Sequence, residues 1–249
     1  MNILLSNDDG ILAHGIEVLE DVFREVGSVT VVAPDREQSA SSHALTMFRP
    51  LRLERLGDQR YQVDGTPTDC VLLGLGVLFD DPPDFVFSGV NHGTNMGEDV
   101  LYSGTVAAAM EGLSAGIPGM AFSLAGPDIT LLDTQRDWLR RLASDVVSVD
   151  DFPKETLLNI NLPPLPGDQI RGIKVTTLGR RVYSDSLTMM QDPWGRDTYW
   201  IGGGTSSWSG GDDSDFRAVR DGYISVTPLH VDLTNYSLLE EVRSWRLGE

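Results

Sequence analysis

What most constrains this chain is the alternation of short apolar runs with helical patterns over its first two thirds. Residues 3–6, 29–33, 85–87, 119–123 and 157–162 are runs of about strand length, bounded by turn residues. Between the first two, Ile16, Leu19, Val22 and Phe23 recur at three- and four-residue spacing, which predicts a helix over 15–26. Thr66 reads as an N-cap and Pro67 as the first helical residue of a segment running to about residue 79. A helix over 104–115 is closed by Gly116, and Leu132, Trp138, Leu139, Leu142 and Val146 mark another over 131–147. Strands that are apolar throughout belong to a sheet covered on both faces. The expected fold is therefore α/β: a Rossmann-like, mostly parallel sheet flanked by helices, with right-handed crossovers, over residues 1–165.

The remainder, residues 166–249, reads differently, as a C-terminal extension of β-rich arm and terminal helix expected to serve oligomerisation. Strands are expected over 173–177 and 223–227, separated by a Gly-, Ser- and Asp-rich stretch at 202–215. A loop that long is uncommon inside a compact domain, and it reads either as a linker or as a projecting arm. Leu238, Leu239, Val242 and Trp245 give a short terminal amphipathic helix. There is no internal repeat. Trp194, Trp200 and Trp208 fall in the arm region, where burial would need a partner subunit.

Composition removes several classes of function. Nineteen Lys and Arg stand against 37 Asp and Glu, a formal charge of −18. Nucleic acid and anionic membrane both need positive surface, so neither is an expected partner. The single cysteine, Cys70, excludes an intrachain disulfide framework, and its apolar neighbours suggest packing. No apolar run is long enough to cross a bilayer, and the start of the chain lacks the basic region of a signal peptide. A cytoplasmic protein is expected. Only Lys154 and Lys174 are lysine, which reads as a compositional habit.

Ligands in open parallel sheets sit beyond the carboxyl ends of the strands. Asn7, Asp8, Asp9 and Gly10 follow the first strand. Asp35 to Ser39 follow the second, and Ser88 to Gly97, including Asn91, His92 and Asn95, follow the third. Asp8-Asp9-Gly10 alone reads as a turn. With two further polar loops at one edge, it reads as a repelling carboxylate pair that a cation would relieve. Asp, Ser and Asn are hard oxygen ligands, suited to Mg²⁺, Mn²⁺ or Ca²⁺ rather than zinc. Glycines at 89, 93 and 97 match neither a dinucleotide fingerprint nor a Walker loop. Ser103-Gly104-Thr105 opens a helix, a ready phosphate site or a plain N-cap. An oxygen-ligated metal beside a phosphate cradle suggests metal-assisted phosphoryl chemistry on a small substrate.

These motifs resemble one family. The segments are 3–10 (Ile-Leu-Leu-Ser-Asn-Asp-Asp-Gly), 32–39 (Val-Ala-Pro-Asp-Arg-Glu-Gln-Ser), 65–70, 88–91, 95–97, 102–109 and 227–229. Their order and spacing resemble the SurE (survival protein E) family of metal-dependent 5′/3′-nucleotidases, from Met1 to about Thr234. The resemblance implies a phosphoric monoester hydrolase acting on nucleoside 5′-monophosphates. Some members also act on the 3′ position or on short polyphosphate. It implies one divalent ion per subunit, Mg²⁺ or Mn²⁺, held by Asp8, Asp9, Ser39 and Asn91. It places phosphate contacts at Asn95, Ser103, Gly104 and Thr105, and implies a homodimer or homotetramer that exchanges C-terminal segments.

In-line hydrolysis is the expected chemistry, with Asp8, Asp9 and Asn95 as catalytic residues. Either an ion-activated water or Asp8 itself serves as nucleophile, and the residues leave both routes open. His14, His43, His92 and His230 share no metal-binding spacing; His43 and His230 fall where they could assist a leaving group. Two rivals remain: a glycosyltransferase, which would ordinarily carry its acids as D-x-D deeper in the chain, and a non-catalytic nucleotide sensor, which would release no phosphate.

Overall fold

The computed structural model describes residues 1–150, 152–184, 187–201 and 205–247. The chain opens with β1 (Asn2–Ser6), α1 (His14–Arg24), β2 (Ser28–Pro34), β3 (Leu53–Gly57), β4 (Arg60–Val63) and α2 (Pro67–Val77). Next come β5 (Phe85–His92), α3 (Gly104–Ser114), β6 (Gly119–Leu124), α4 (Leu132–Val147) and β7 (Leu157–Leu162). Then follow β8 (Ile173–Val175), β9 (Arg180–Ser184), β10 (Leu187–Gln191), β11 (Asp197–Ile201) and β12 (Thr205–Ser209). The chain closes with α5 (Asp215–Arg220), β13 (Ile224–Leu229) and α6 (Leu239–Ser244).

Nine strands form one sheet in the order β3-β4-β2-β1-β5-β6-β7-β13-β8. From β4 to β7 every pairing is parallel; β3 and β13 run against their neighbours β4 and β7. The order reverses between β1 and β5: the chain leaves β1 towards β2 and returns on the other side at β5. Such a switch point leaves a crevice at the strands' carboxyl ends. β8 and β13, from beyond residue 165, join the same sheet.

Alternation along the strands builds the two faces. Ile3 and Leu5 of β1, with Phe87 of β5 and Phe122 of β6, pack under Leu19 and Phe23 of α1 and Leu139 and Leu142 of α4. Leu4, Val32 and Val86 face the other way, under Cys70 and Val71 of α2 and Ala108 of α3. The Phe23 and Phe87 rings lie 4.5 Å apart, and Phe122 meets Phe87 edge-on at 6.3 Å. Thr66 caps α2 as expected: its hydroxyl accepts the Asp69 N–H at 3.1 Å, and the Asp69 carboxylate accepts the Thr66 N–H at 2.9 Å.

Three expectations need correction. The third strand does not stop at residue 87 but continues to His92 through a register shift between Ser88 and Asn91. Asn91 therefore lies on the strand and not on the loop beyond it. The β3–β4 hairpin was not expected: its charged, partly exposed residues lack the apolar run of a central strand. The arm is β-rich as expected, β9 pairing with β12 and β10 with β11 as two antiparallel ribbons; residues 202–204 of the Gly-rich stretch lie outside the described residues. Trp194 and Trp200 are exposed on the β10–β11 ribbon, but Trp208 stacks on Phe216 at 5.4 Å, so its burial needs no second chain. Among the described residues, no helix is long and apolar enough to cross a membrane.

Candidate active site

The β1–α1 turn is held by its own chemistry. Asn7 Nδ2 donates to the Gly10 carbonyl at 2.9 Å, and the Ile11 N–H reaches the Pro34 carbonyl at 2.8 Å. Gly10 has φ +99°, and a Cβ there would stand 3.2 Å from the Arg36 carbonyl carbon, so only glycine fits. The turn thereby presents Asp8 and Asp9 at the switch point, Asp8 only 4% exposed and Asp9 half-buried.

Asp8 sits against the start of α3. Its Oδ1 accepts the Thr105 hydroxyl, and its backbone carbonyl accepts the Gln38 N–H at 2.7 Å, tying the second loop to the first. A Cβ on Gly104 would lie 2.8 Å from Asp8 Cβ and 2.8 Å from Ser41 Oγ, so the helix start and the carboxylate are in close contact. Asp9 Oδ2 accepts the His92 N–H at 3.1 Å, which brings the end of β5, with Asn91, to the same place. Asn91 Nδ2 donates to the Gly93 carbonyl at 2.8 Å, leaving its Oδ1 without a protein partner among the described residues. Ser39 is exposed, and its hydroxyl donates to Glu37 at 2.7 Å.

Arg36 on the second loop stands near Asp35 rather than against the Asp8–Asp9 pair. Among the described residues no Lys or Arg pairs with Asp8 or Asp9. Burial pushes the Asp8 carboxyl up to about 6, the Thr105 hydroxyl opposes this and the Asp9 charge adds to it. Burial also raises Asp9, against the His92 N–H. Two buried atoms of the neighbourhood, Asn7 Oδ1 and Ser41 Oγ, have no partner. Raised carboxyls, orphaned oxygens and the free Asn91 Oδ1 together fit a hard divalent cation. No three His, Cys, Asp or Glu side chains among the described residues cluster tightly enough to hold an ion alone, so such a cation would also need neutral oxygens. Asp8, Asp9, Asn91 and Ser39 supply two carboxylates and two such oxygens.

The expected phosphate contacts divide. Ser103 caps α3, its Oγ accepting the Val106 N–H at 3.0 Å, so the helix N-terminus stands beside Asp8. Thr105 is fully buried, with its hydroxyl bonded to Asp8 and its backbone N–H also directed at that carboxylate; in this geometry it orients the carboxylate. Asn95 is buried on the turn after β5, its Nδ2 donating to Ser123 Oγ at 2.8 Å. That turn is anchored at Gly97, whose N–H meets the buried carboxylate of Asp215 at 2.8 Å. Asp215, Ser41, Ser123, Asn159 and Asn161 were not singled out from sequence. Asn159 and Asn161, amides inside an apolar run, carry a local sign of burial, but nothing local says what they hold.

The histidines are placed individually. His14 pairs with Asp133 at 3.3 Å, and the His92 ring contacts the Pro127 carbonyl at 2.9 Å. His43, bonded to Glu111 at 2.8 Å, and His230 both line a cavity of about 250 Å³ beside Ser103, with Ala107 and Met110. Cys70 is buried, and burial raises its thiol well above the usual range, so it is no nucleophile at neutral pH.

Comparison with known proteins bears on this geometry. Residues 3–185 match the family described as Survival protein SurE. A 5′-nucleotidase SurE of Gemmatimonas aurantiaca is 62% identical over 248 residues, covering 98% of each chain. One from Geobacter sulfurreducens is 47% identical, covering all of this chain and 95% of its own. The crystal structure of the SurE protein from Aquifex aeolicus superposes with a TM-score of 0.87 at 40% identity, covering 99% of this chain and 100% of that one.

Proposed function

Since the chain belongs to the SurE family, we propose that it is a 5′-nucleotidase that hydrolyses nucleoside monophosphates at the β1–β5 switch point with the help of one divalent ion, Mg²⁺ or Mn²⁺. The observation that carries the site is Asp8: a buried carboxylate beside a second one, without a basic partner, against the N-terminus of a helix.

Asp8, Asp9, Ser39 and Asn91 would hold the ion. When bound, such an ion withdraws charge from a phosphoryl oxygen and makes a water acidic enough to yield hydroxide near neutral pH. Thr105 fixes the rotamer of Asp8, and Gly104 permits the approach of helix and carboxylate. The Gly104 N–H at the start of α3 and the Ser103 hydroxyl receive the phosphoryl oxygens, and the positive end of the helix stabilises charge as the ester bond breaks. Asn95 contributes from the opposite turn. Its partner Ser123 is a hydroxyl that donates as well as accepts, so the amide can present either end to substrate. Activity on 3′-nucleotides or short polyphosphate would use the same phosphoryl cradle. The reaction needs no membrane or nucleic-acid partner, and we place it in the cytoplasm. The exposed apolar β10–β11 ribbon and α6 suit exchange with a second copy, as a homodimer or homotetramer.

The test is phosphate release from a panel of 5′- and 3′-nucleoside monophosphates with Mn²⁺ or Mg²⁺, with EDTA, and with Asp8→Asn. Release that needs the ion and disappears in the variant supports the reading. Folded protein that binds nucleotide and releases nothing under any of these ions would instead be a sensor.

A further inference from the structure

The turn that carries Asn95 is gripped by β7, a strand with no part in the site described so far. Asn159 and Asn161 project from β7 towards the α3 side of the sheet, both fully buried. Asn161 Oδ1 accepts the Asn95 N–H at 2.9 Å, and Asn161 Nδ2 donates to the Asn95 carbonyl at 3.0 Å. Asn159 Nδ2 donates to the same carbonyl at 2.8 Å. One side-chain amide thus matches both backbone polar groups of one residue. Turning the Asn161 amide over would set donor against donor and acceptor against acceptor, so its orientation is decided by chemistry.

These two amides stand where packing alone would favour apolar residues. Their neighbours on the other face of β7 are Ile160 and Leu162, both in the core. Burying an amide is costly unless it is bonded; here the three side-chain bonds of the two amides all go to one residue of a distant turn, and Asn159 Oδ1 has no partner among the described residues. Ser123, paired with Asn161 across the β6–β7 ladder, receives the Asn95 side chain. Backbone and side chain of Asn95 are therefore both seated on the ends of β6 and β7.

We propose that Asn161, assisted by Asn159, is a positioning residue for phosphate-ester hydrolysis: it fixes the peptide of Asn95 so that the Asn95 amide meets the phosphoryl group. The proposal rests on the reading of Asn95 as a phosphoryl contact. A displacement of about 1 Å at such a contact can cost on the order of 100-fold in rate.

The test is a double-mutant cycle on the full chain, with a nucleoside 5′-monophosphate and saturating Mn²⁺. Asn161→Ala is expected to lower kcat by roughly 30-fold or more while KM moves less than about threefold. In an Asn95→Ala background the same change should cost less than about threefold further, because it acts through a side chain already removed. Asn159→Ala should lower kcat by a smaller factor, with the same non-additivity. Circular dichroism and thermal melting establish that each variant is folded; if Asn161→Ala is not, Asn161→Ser and Asn159→Ala carry the cycle. Independent, multiplying losses, or full kcat in folded Asn161 variants beside an impaired Asn95→Ala, overturn the proposal alone. Full activity in Asn95→Ala overturns the reading of Asn95 and the proposal with it.

Discussion

Phe87 and Trp200 are both large aromatic residues on strands, and their surroundings are opposite. Phe87 is fully buried between Phe23 and Phe122, whereas Trp200 is 67% exposed on β11. The contrast extends to whole regions. β1, β2, β5, β6 and β7 bury nearly every side chain under four helices. On β10 and β11, Leu187, Met189, Tyr199 and Ile201 are exposed, Ile201 by 89%. A two-stranded ribbon is marginal by itself, and a contiguous apolar patch marks a surface made to be covered. The core folds around its own helices, while the ribbon leaves its apolar side chains exposed on the single chain. The active site belongs to the core and depends on that closure, because only a buried edge can hold two adjacent acids with raised affinity for protons.

The largest expected effect tests the contrast directly. Phe87→Ala should cost about 3–5 kcal/mol of folding stability, through lost transfer energy and a cavity. Ile201→Ser should change the stability of the isolated subunit by less than about 0.5 kcal/mol, as at other exposed positions. It should instead weaken self-association in sedimentation velocity. Equal losses of stability in urea unfolding would erase the distinction between the two regions.

A somewhat smaller effect concerns Asp8. Its carboxyl binds its proton more tightly folded than unfolded, so the folded state holds the extra proton between about pH 4 and 6. Stability therefore falls as pH rises through that window and stays lower above it. In EDTA the chain should lose about 3 kcal/mol from this group between pH 4 and 7, and Asp8→Asn should not. The variant is thus expected to be inactive and, at pH 7 without metal, more stable. Urea unfolding at the two pH values measures the difference, and parallel curves would show that Asp8 is not an uncompensated buried acid.

The smallest effect separates packing from chemistry at one position. Alanine ordinarily favours a helix over glycine by about 1 kcal/mol. At Gly104 the added methyl would press on Asp8 and Ser41. Because Gly104 is the first helical residue and the overlap is with the Cβ of a buried residue, Gly104→Ala should lower the melting temperature by roughly 2–4 °C and kcat/KM by roughly tenfold or more. An active variant would mean that the helix start can withdraw from the carboxylate without loss.

Sequence and structure agree best where one local rule decides. Strand β7 is a bounded apolar run, and its limits coincide with residues 157–162. The Thr66 cap needs only Asp69, three residues on. Legibility fails where the partner is distant or the pattern is mixed. Ser88-Gly89-Val90-Asn91 has the composition of a loop, yet β6, which pairs with Ser88 and again with Asn91 and His92, keeps it in β5. Leu53 to Gly57 alternates weakly because it is an edge strand. Asp8, Asp9, Ser103 and Gly104 stood out because they lie at turns where strands end or helices begin. Asn161 and Asp215 did not, because what they hold lies 66 and 118 residues away.

Those two separations also govern the order in which a growing chain can become an enzyme. Synthesis runs from the amino end, so Asp8, Asp9, Ser39 and Asn91 all leave the ribosome before the midpoint of the chain. The Asn95–Gly97 turn acquires its seat on β7 only after residue 161 emerges, and its anchor only after residue 215. A nascent or truncated chain therefore carries the acidic groups while its hydrolytic geometry is still unset. Long-range closure of this kind makes the seating of that turn a property of the nearly finished polypeptide.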